Sequence, residues 1–411
     1  MLDTSPVLPA TAEAFASRSR PSIQVLLALG SIAALALLLQ SAVSWRQAAL
    51  FLVGAGAGVV LYHAAFGFTT SWRVFLSDGR GAGLRAQMLM LALTCAVFFP
   101  LLAAGTFLGQ PVRGSVAPAG LSVLAGAFLF GVGMQLGGGC ASGTLYTAGG
   151  GNTRMLVTLA AFIAGSVLGT AHAGWWQALP SLPPISLVAA LGPRSALALS
   201  LALFAGIGAF TAAIERRRHG RVERIDGDAL PAAAGRWLRG PWPLMAGAVG
   251  LAVVNIATLA LAGRPWGVTS AFALWGAKAL DAAGMDVATW QYWSTPAQTA
   301  ALERSVLQDV TSVMNFGILL GALLASMLAG RFAPSWRVPV RSLAAAVLGG
   351  LLLGYGARAA YGCNIGAYFS GIASGSLHGW LWMAAAFAGN AVGTRLRPMF
   401  GLRVERTTGS C

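Results

Sequence analysis

Cys140 and Cys363 stand in two short glycine-rich stretches: Gly137-Gly138-Gly139-Cys140-Ala141-Ser142-Gly143 and Gly362-Cys363-Asn364-Ile365-Gly366. A thiol is a weak S–H donor, a soft nucleophile when ionised, and otherwise a small apolar group. Ser142 and Asn364 add a hydroxyl and an amide, while Gly139 and Gly362 let a bound group approach the backbone. Neither stretch holds His, Asp or Glu, so neither thiol has the neighbouring base that nucleophilic catalysis normally uses. Donors without an acidic residue favour a small anion over a cation. Soft sulfur suits a sulfur-terminated anion better than sulfate.

A second pair of stretches is also alike. Phe66-Gly67-Phe68-Thr69-Thr70-Ser71-Trp72 resembles Trp266-Gly267-Val268-Thr269-Ser270-Ala271-Phe272. Gly67 and Gly267 open these breaks, and Thr69 and Thr269 supply hydroxyls at matching places. The candidate binding set is therefore Cys140, Cys363, Gly139, Gly362, Gly67, Gly267, Ser142, Asn364, Thr69 and Thr269.

These residues need apolar elements to position them. The chain of 411 residues is 56% hydrophobic and only 9% charged, with mean hydropathy +0.71. Soluble domains carry about 25% charged residues, so this chain has too few charges to cover a soluble surface. Runs of spanning length occur at roughly 23–43, 47–66, 86–108, 117–136, 155–175, 185–212, 243–263, 309–329, 340–357 and 377–394, which predicts about ten membrane-spanning helices. The stretches near 66–78, 137–151, 266–280 and 361–374 are too short to cross alone and read as re-entrant or broken helices. The fold class predicted is an all-α polytopic membrane protein.

The net charge of +15 does not indicate a nucleic-acid partner, because the bases cluster in a few loops. With the N-terminus inside, 20 of the 27 Lys and Arg face the cytoplasm and 7 face outward. That bias supports cytoplasmic N- and C-termini. Residues 1–22 are polar without a cleavage pattern, so the first apolar run reads as a retained helix. The domain reading is 1–46 tail and first span; 47–214 first repeat with its Gly-Cys element and an extra span; 215–241 basic, solvated cytoplasmic linker; 242–397 second repeat; and 398–411 cytoplasmic tail. The repeats start five spans apart, an odd offset that inverts the second relative to the first. Two inverted pseudo-symmetric halves with interrupted helices are a common construction for a transport path.

The remaining candidates are weaker. Cys95 sits mid-span and reads as packing; Cys411 reads as a tail thiol. The cysteines lack metal-ligand spacing, and no two of His63, His172 and His378 have it either, so neither metal nor cofactor is expected. Tyr146, Tyr361 and Tyr368 flank the Gly-Cys elements. Arg73, Arg154, Lys278 and Arg358 flank the four breaks, where each could draw an anion into a vestibule. Asp281, Asp286, Glu303 and Asp309 lie in or beside an inserted stretch, 281–303, outside the spans. Their placement favours facilitated movement over proton-coupled pumping.

Gly138-Gly139-Cys140-Ala141-Ser142-Gly143, Gly362-Cys363-Asn364-Ile365-Gly366 and Gly263-Arg264-Pro265-Trp266-Gly267-Val268-Thr269-Ser270-Ala271-Phe272 resemble the YeeE/YedE sulfur-transport family, from about residue 47 to 397. The resemblance implies a multi-pass protein of the bacterial inner membrane that takes up thiosulfate or a related sulfur compound. It implies that Cys140 and Cys363 hand the anion along by S–H···S contacts. It also implies a cytoplasmic sulfur-carrier protein as a partner, with the basic linker as its docking face. Thiosulfate permeases of the family have a third path cysteine; here the corresponding position is Gly67. Three alternatives stay open: transport of a selenium compound or another sulfur oxyanion, a membrane persulfide or thiol transferase, and a non-transporting subunit that recruits the carrier.

Overall fold

The computed structural model describes residues 23–226, 235–334 and 336–405. The polar N-terminal tail, Asp228, Arg406 and Cys411 lie outside the described residues. Eighteen helices follow in chain order among those described: α1 (Ile23–Ala42), α2 (Trp45–His63), α3 (Phe68–Asp78), α4 (Ala82–Ala104), α5 (Leu121–Gly137), α6 (Ala141–Gly149), α7 (Thr153–Ala171), α8 (Ala173–Gln177), α9 (Leu187–Leu191), α10 (Pro193–His219), α11 (Arg236–Arg239), α12 (Leu244–Ala262), α13 (Thr269–Ala282), α14 (Pro296–Glu303), α15 (Val310–Leu328), α16 (Val340–Ala359), α17 (Ser370–Ala373) and α18 (Leu377–Leu396). A π-helical turn, Asn364–Phe369, leads into α17. Two small antiparallel pairs, Thr106–Phe107 with Gln110–Pro111 and Ala119–Gly120 with Ser181–Leu182, tie loops together.

Among the described residues, nine helical stretches are long and apolar enough to cross a membrane; α2 with α3, α5 with α6, and α16 through α17 each count as one interrupted run. The protein is an all-helical, multi-pass membrane protein. The predicted tenth span exists as the 20-residue helix α18 but is not among the nine. His378, Asn390, Arg395 and its glycines dilute its apolar character. The predicted span 185–212 is also revised. Gly192 at φ +76° ends α9, and Pro193 at the first helical position restarts the chain as α10, which runs on to His219.

Packing follows a two-fold exchange. Helix α5 lies against α16; α7 packs on α16 as α18 packs on α5; α2 packs on α15 as α12 packs on α4; and α13 meets α7 as α3 meets α18. Replacing each first-half helix by its counterpart (α2 by α12, α3 by α13, α4 by α15, α5 by α16, α7 by α18) maps every one of these contacts onto another. Helices in lipid gain little from burying apolar surface against one another, so close backbone approach through small residues carries the association. The crossings fit that rule. A β-carbon at Gly133 of α5 would stand 2.8 Å from Gly349 O of α16, and one at Gly349 would overlap the Gly137 backbone. The crossings α2–α15, α7–α16 and α5–α18 are equally tight at Gly54, Gly354 and Gly389.

The linker starts later than expected, and its acidic residues are not all solvated. Glu215 is buried on the last turns of α10. Its carboxylate pairs with Arg85 at 2.7 Å and accepts from the amides of Gly81 and Glu223 at 3.2 and 3.0 Å. Arg80 pairs with Glu223 at 2.8 Å. A buried charge keeps its place only when paired and hydrogen-bonded, so the described start of the linker is pinned to the turn between α3 and α4. The inserted stretch 281–303 covers α7 and α13: Trp293 is buried and donates to Thr170 Oγ1 at 3.1 Å, and Lys278 donates to Leu302 O.

Gly349→Val is expected to destabilise the protein by about 1–3 kcal/mol, the usual cost of overpacking a filled interface. Gly206→Ala, where an added β-carbon meets nothing within 4 Å, is expected to leave the melting temperature unchanged. Thermal unfolding in detergent, followed by size-exclusion of the remaining monodisperse protein, measures both.

Candidate functional site

All four sequence-predicted breaks are short helices that start where their glycine motifs are. Helix α3 begins after Gly67, α13 after Val268, α6 after Cys140 and the π-helical turn after Cys363. Each cysteine therefore holds the N-cap position of a short helix, where the first N–H groups have no partner in their own helix. The Gly143 amide donates to Cys140 Sγ at 3.4 Å, and Ser142 Oγ also lies 3.4 Å from that sulfur. Cys363 holds the same N-cap position on its turn, without a side-chain cap hydrogen bond.

The glycine before each cysteine has one steric role in both halves. A β-carbon at Gly139 would approach Thr144 N to 3.0 Å, and one at Gly362 would approach Ala367 N to 2.9 Å. Gly362 also has φ +151°, which side-chain-bearing residues rarely adopt. Both glycines thus keep the N-terminal turn of the short helix clear. Helix α6 packs against the π-helical turn, so the elements that follow Cys140 and Cys363 are neighbours, and both cysteines are buried. Ser142 and Asn364 are buried with them. Both polar atoms of the Asn364 amide lack a protein partner. Buried amides are nearly always hydrogen-bonded, so this one marks a place for a polar guest.

A cavity of about 380 Å³ lies beside the second Gly-Cys element. Its walls include Arg113, Arg264, Arg358, Trp266, Tyr292 and Thr269, and Gly362 and Gly366, which bracket the thiol, form part of its lining, as does Gly267. Three guanidinium groups and no carboxylate line it among the described residues. The nearby acidic residue Asp309 is used to cap α15, accepting from Ser312 N at 2.7 Å. Arg358 donates to Thr269 Oγ1 at 2.7 Å and to Tyr292 Oη at 3.2 Å, while its buried Nε has no protein acceptor. The Trp266 Nε1 donor is also buried without a partner. The cavity is a donor-rich, positively charged vestibule whose lining includes the glycines on either side of the buried Cys363.

The opposite end uses the other half of the repeat. Gln135 lies five residues before Cys140, as Arg358 lies five before Cys363. Gln135 donates to Thr69 O at 3.1 Å, the counterpart of Arg358 on Thr269. Arg73, one turn beyond Thr69 on α3, approaches Gln135 Oε1 at 3.4 Å. Arg154 donates to Leu136 O and Gly137 O at 2.6 and 2.7 Å, satisfying the C-terminal carbonyls of α5. Gly67 and Thr69 belong to this end and do not line the vestibule.

Sequence reasoning missed Arg113 and Tyr292 as site residues, and it noted Arg264 only within a motif. Arg113 sits in the loop after α4, and Tyr292 belongs to the inserted stretch; neither carries a local signature. Of the weaker candidates, Cys95 packs against Ile372 O at 3.8 Å. Tyr361 lines the vestibule. Tyr368 is buried among Phe68, Trp72 and Trp382. His378 is held by Ser376 at 2.5 Å.

Residues 63–392, spanning all four breaks and both thiols, match the family described as Sulphur transport. The chain belongs to this family. Among curated relatives, the thiosulfate transporter TsuA of Spirochaeta thermophila is 27% identical over 361 residues, covering 82% of this chain and 95% of the relative. The probable transporter YedE of Escherichia coli K12 is 30% identical over 174 residues, 41% of this chain and 42% of the relative. The corresponding YedE of Salmonella typhimurium LT2 is 31% identical over the same length. The matches to the two YedE proteins thus span less than half the length of those relatives.

Gly67, the position where a third path cysteine is expected from the resemblance, has room for one. Its backbone is extended, and a β-carbon there would meet Thr70 Oγ1 at 3.5 Å, an ordinary contact. Gly67→Cys is therefore expected to fold with an unchanged melting temperature in detergent, whereas Gly139→Cys, with the Thr144 amide in its way, is expected to melt earlier.

Proposed function

We propose that the protein carries a small sulfur-containing anion, most simply thiosulfate, inward across the bacterial inner membrane along the line from the Arg113–Arg264–Arg358 vestibule through Cys363 and Cys140 to Thr69. The observation that carries this reading is the vestibule itself: three guanidinium groups and no carboxylate among the described residues, lined by the Gly362 and Gly366 that flank Cys363 and the unpartnered buried amide of Asn364. The positive wall concentrates anions. The soft S–H groups and the helix N-terminal amides then replace water around an anion that presents both sulfur and oxygen. The termini face the cytoplasm in this reading, which puts the vestibule outside. The described face of the 215–241 linker is the docking surface for a sulfur-carrier protein that takes the product.

The thiol surroundings support relay over catalysis. Cys140 is contacted by a serine hydroxyl and a backbone amide, neither of which is a base that would make it a persulfide-forming nucleophile. The relatives are named as transporters. Asp281, Asp286 and Glu303 lie in or beside the inserted stretch, away from the thiols, which supports facilitated movement.

Uptake of sulfur-35 thiosulfate into proteoliposomes tests this function. Cys140→Ala and Cys363→Ala are each expected to lower the initial rate at least about tenfold, the equivalent of about 1.4 kcal/mol at the limiting barrier. Full uptake by both variants would remove the thiol relay. Absence of uptake by folded wild type, with uptake of selenite or sulfite by the same vesicles, would change the substrate. Arg358→Gln is expected to raise the half-saturating thiosulfate concentration several-fold and to weaken the dependence of uptake on ionic strength.

A further inference from the structure

The end of the path remote from the vestibule holds a second cluster of guanidinium groups, and a carboxylate already sits on it. Arg73 is buried within α3 beside Gln135. Glu405, 332 positions further along the chain, receives two parallel hydrogen bonds from it: Nε to Oε2 and Nη2 to Oε1, both 2.7 Å. The stretch that carries Glu405 follows α18 and is folded back by Arg397, which donates to Arg403 O at 2.9 Å and to Gln135 O at 2.7 Å. Arg154 is the third cation of the cluster. Burial holds Arg397 at about 10, below the usual guanidinium range; the Arg73 charge adds to this and the Glu405 charge opposes it. The hydrogen bonds from Arg73 hold Glu405 below the usual carboxylate range.

We propose that Arg73 and Arg397 form an exit site for a small oxyanion, and that Glu405 occupies it as a latch the cargo must displace. The inference rests on the reading of the thiol line as an anion path. The paired-donor geometry of Arg73 fits two oxygens of a sulfur oxyanion as well as it fits a carboxylate. Arg73 is sunk into the protein, while the Glu405 side chain is about half exposed, 46% against 9%, so the ligand can leave while the site stays formed. Half-exposed ion pairs are weak and reversible. A tethered carboxylate nonetheless competes at an effective concentration in the millimolar range. A dianion gains more from the cluster than a carboxylate does, and gives Glu405 a reason to yield.

The test is binding to the full-length protein in detergent, read as the rise in melting temperature with sodium thiosulfate or sodium sulfate at constant ionic strength. Wild type, Glu405→Gln, Arg73→Lys, Arg73→Gln and the double variant Glu405→Gln/Arg73→Gln are compared. Glu405→Gln is expected to half-saturate at a concentration at least about five times lower than wild type. The double variant is expected to lose that gain. Arg73→Lys, which keeps the charge but not the paired donors, should retain Glu405 weakly and titrate between wild type and Glu405→Gln. Identical titrations of wild type and Glu405→Gln, or a gain that survives in the double variant, would overturn the exit site. Uptake in vesicles separates this result from the substrate reading. A gain in binding without uptake of thiosulfate by wild type removes the substrate and keeps the site, and normal uptake without the gain removes the site alone.

Discussion

The α5–α16 crossing is the contact on which the rest of the structure depends. It is backbone against backbone: a β-carbon at Gly133 would press on Gly349 O and one at Gly349 on the Gly137 backbone, and Gly126 and Gly356 repeat the arrangement a few turns away. Each of the two helices ends at a Gly-Cys break, so their separation sets the separation of the thiols. Their outer faces then receive α18 and α7, and those helices in turn receive α3 and α13. Each broken helix is thereby placed by reference to one dry, close crossing. In lipid this is an effective way to fix position, because packing distance, unlike apolar burial, still distinguishes one arrangement from another.

The same geometry makes polar groups tolerable at the centre. A broken helix at membrane depth exposes amides that lipid cannot satisfy. Here those amides face a cysteine cap, a threonine or the counterpart break. Gln135 joins three parts of the molecule, donating to Thr69 O and to Asn390 Oδ1 while its own backbone carbonyl accepts from Arg397. The interior is a set of donors and acceptors in which Asn364, Thr69 Oγ1 and the Arg358 Nε are among the buried polar atoms without a protein partner.

Much of this was legible in the sequence, and for physical reasons. Glycine-rich stretches too short to cross a bilayer had to be breaks, and 66–78, 137–151, 266–280 and 361–374 are α3, α6, α13 and the turn leading to α17. The paired motifs exposed the repeat because the same backbone problem was solved twice with the same residues. Length alone misjudged 185–212, where the turn at Gly192 depends on one left-handed residue. Charge alone misjudged Glu215, because a carboxylate in a basic segment gives no sign that Arg85, far away in the chain, will bury it. Arg113 and Tyr292 reach the vestibule from loops whose sequence carries no period, and only the folded chain brings them to Arg358.

The backbone is nearly two-fold, but positions 135 and 358 are not. One half puts an uncharged amide five residues before its cysteine; the other puts a permanent cation there. Were the two the same, the electrostatic potential would be mirrored about the midplane and the conduit would have no polarity. One mouth has three guanidinium groups and no carboxylate on its walls among the described residues, and the other has a guanidinium cluster that carries the chain's own carboxylate. A duplicated scaffold that would by itself be ambidextrous is thus charged differently at its two mouths by unlike side chains at equivalent places.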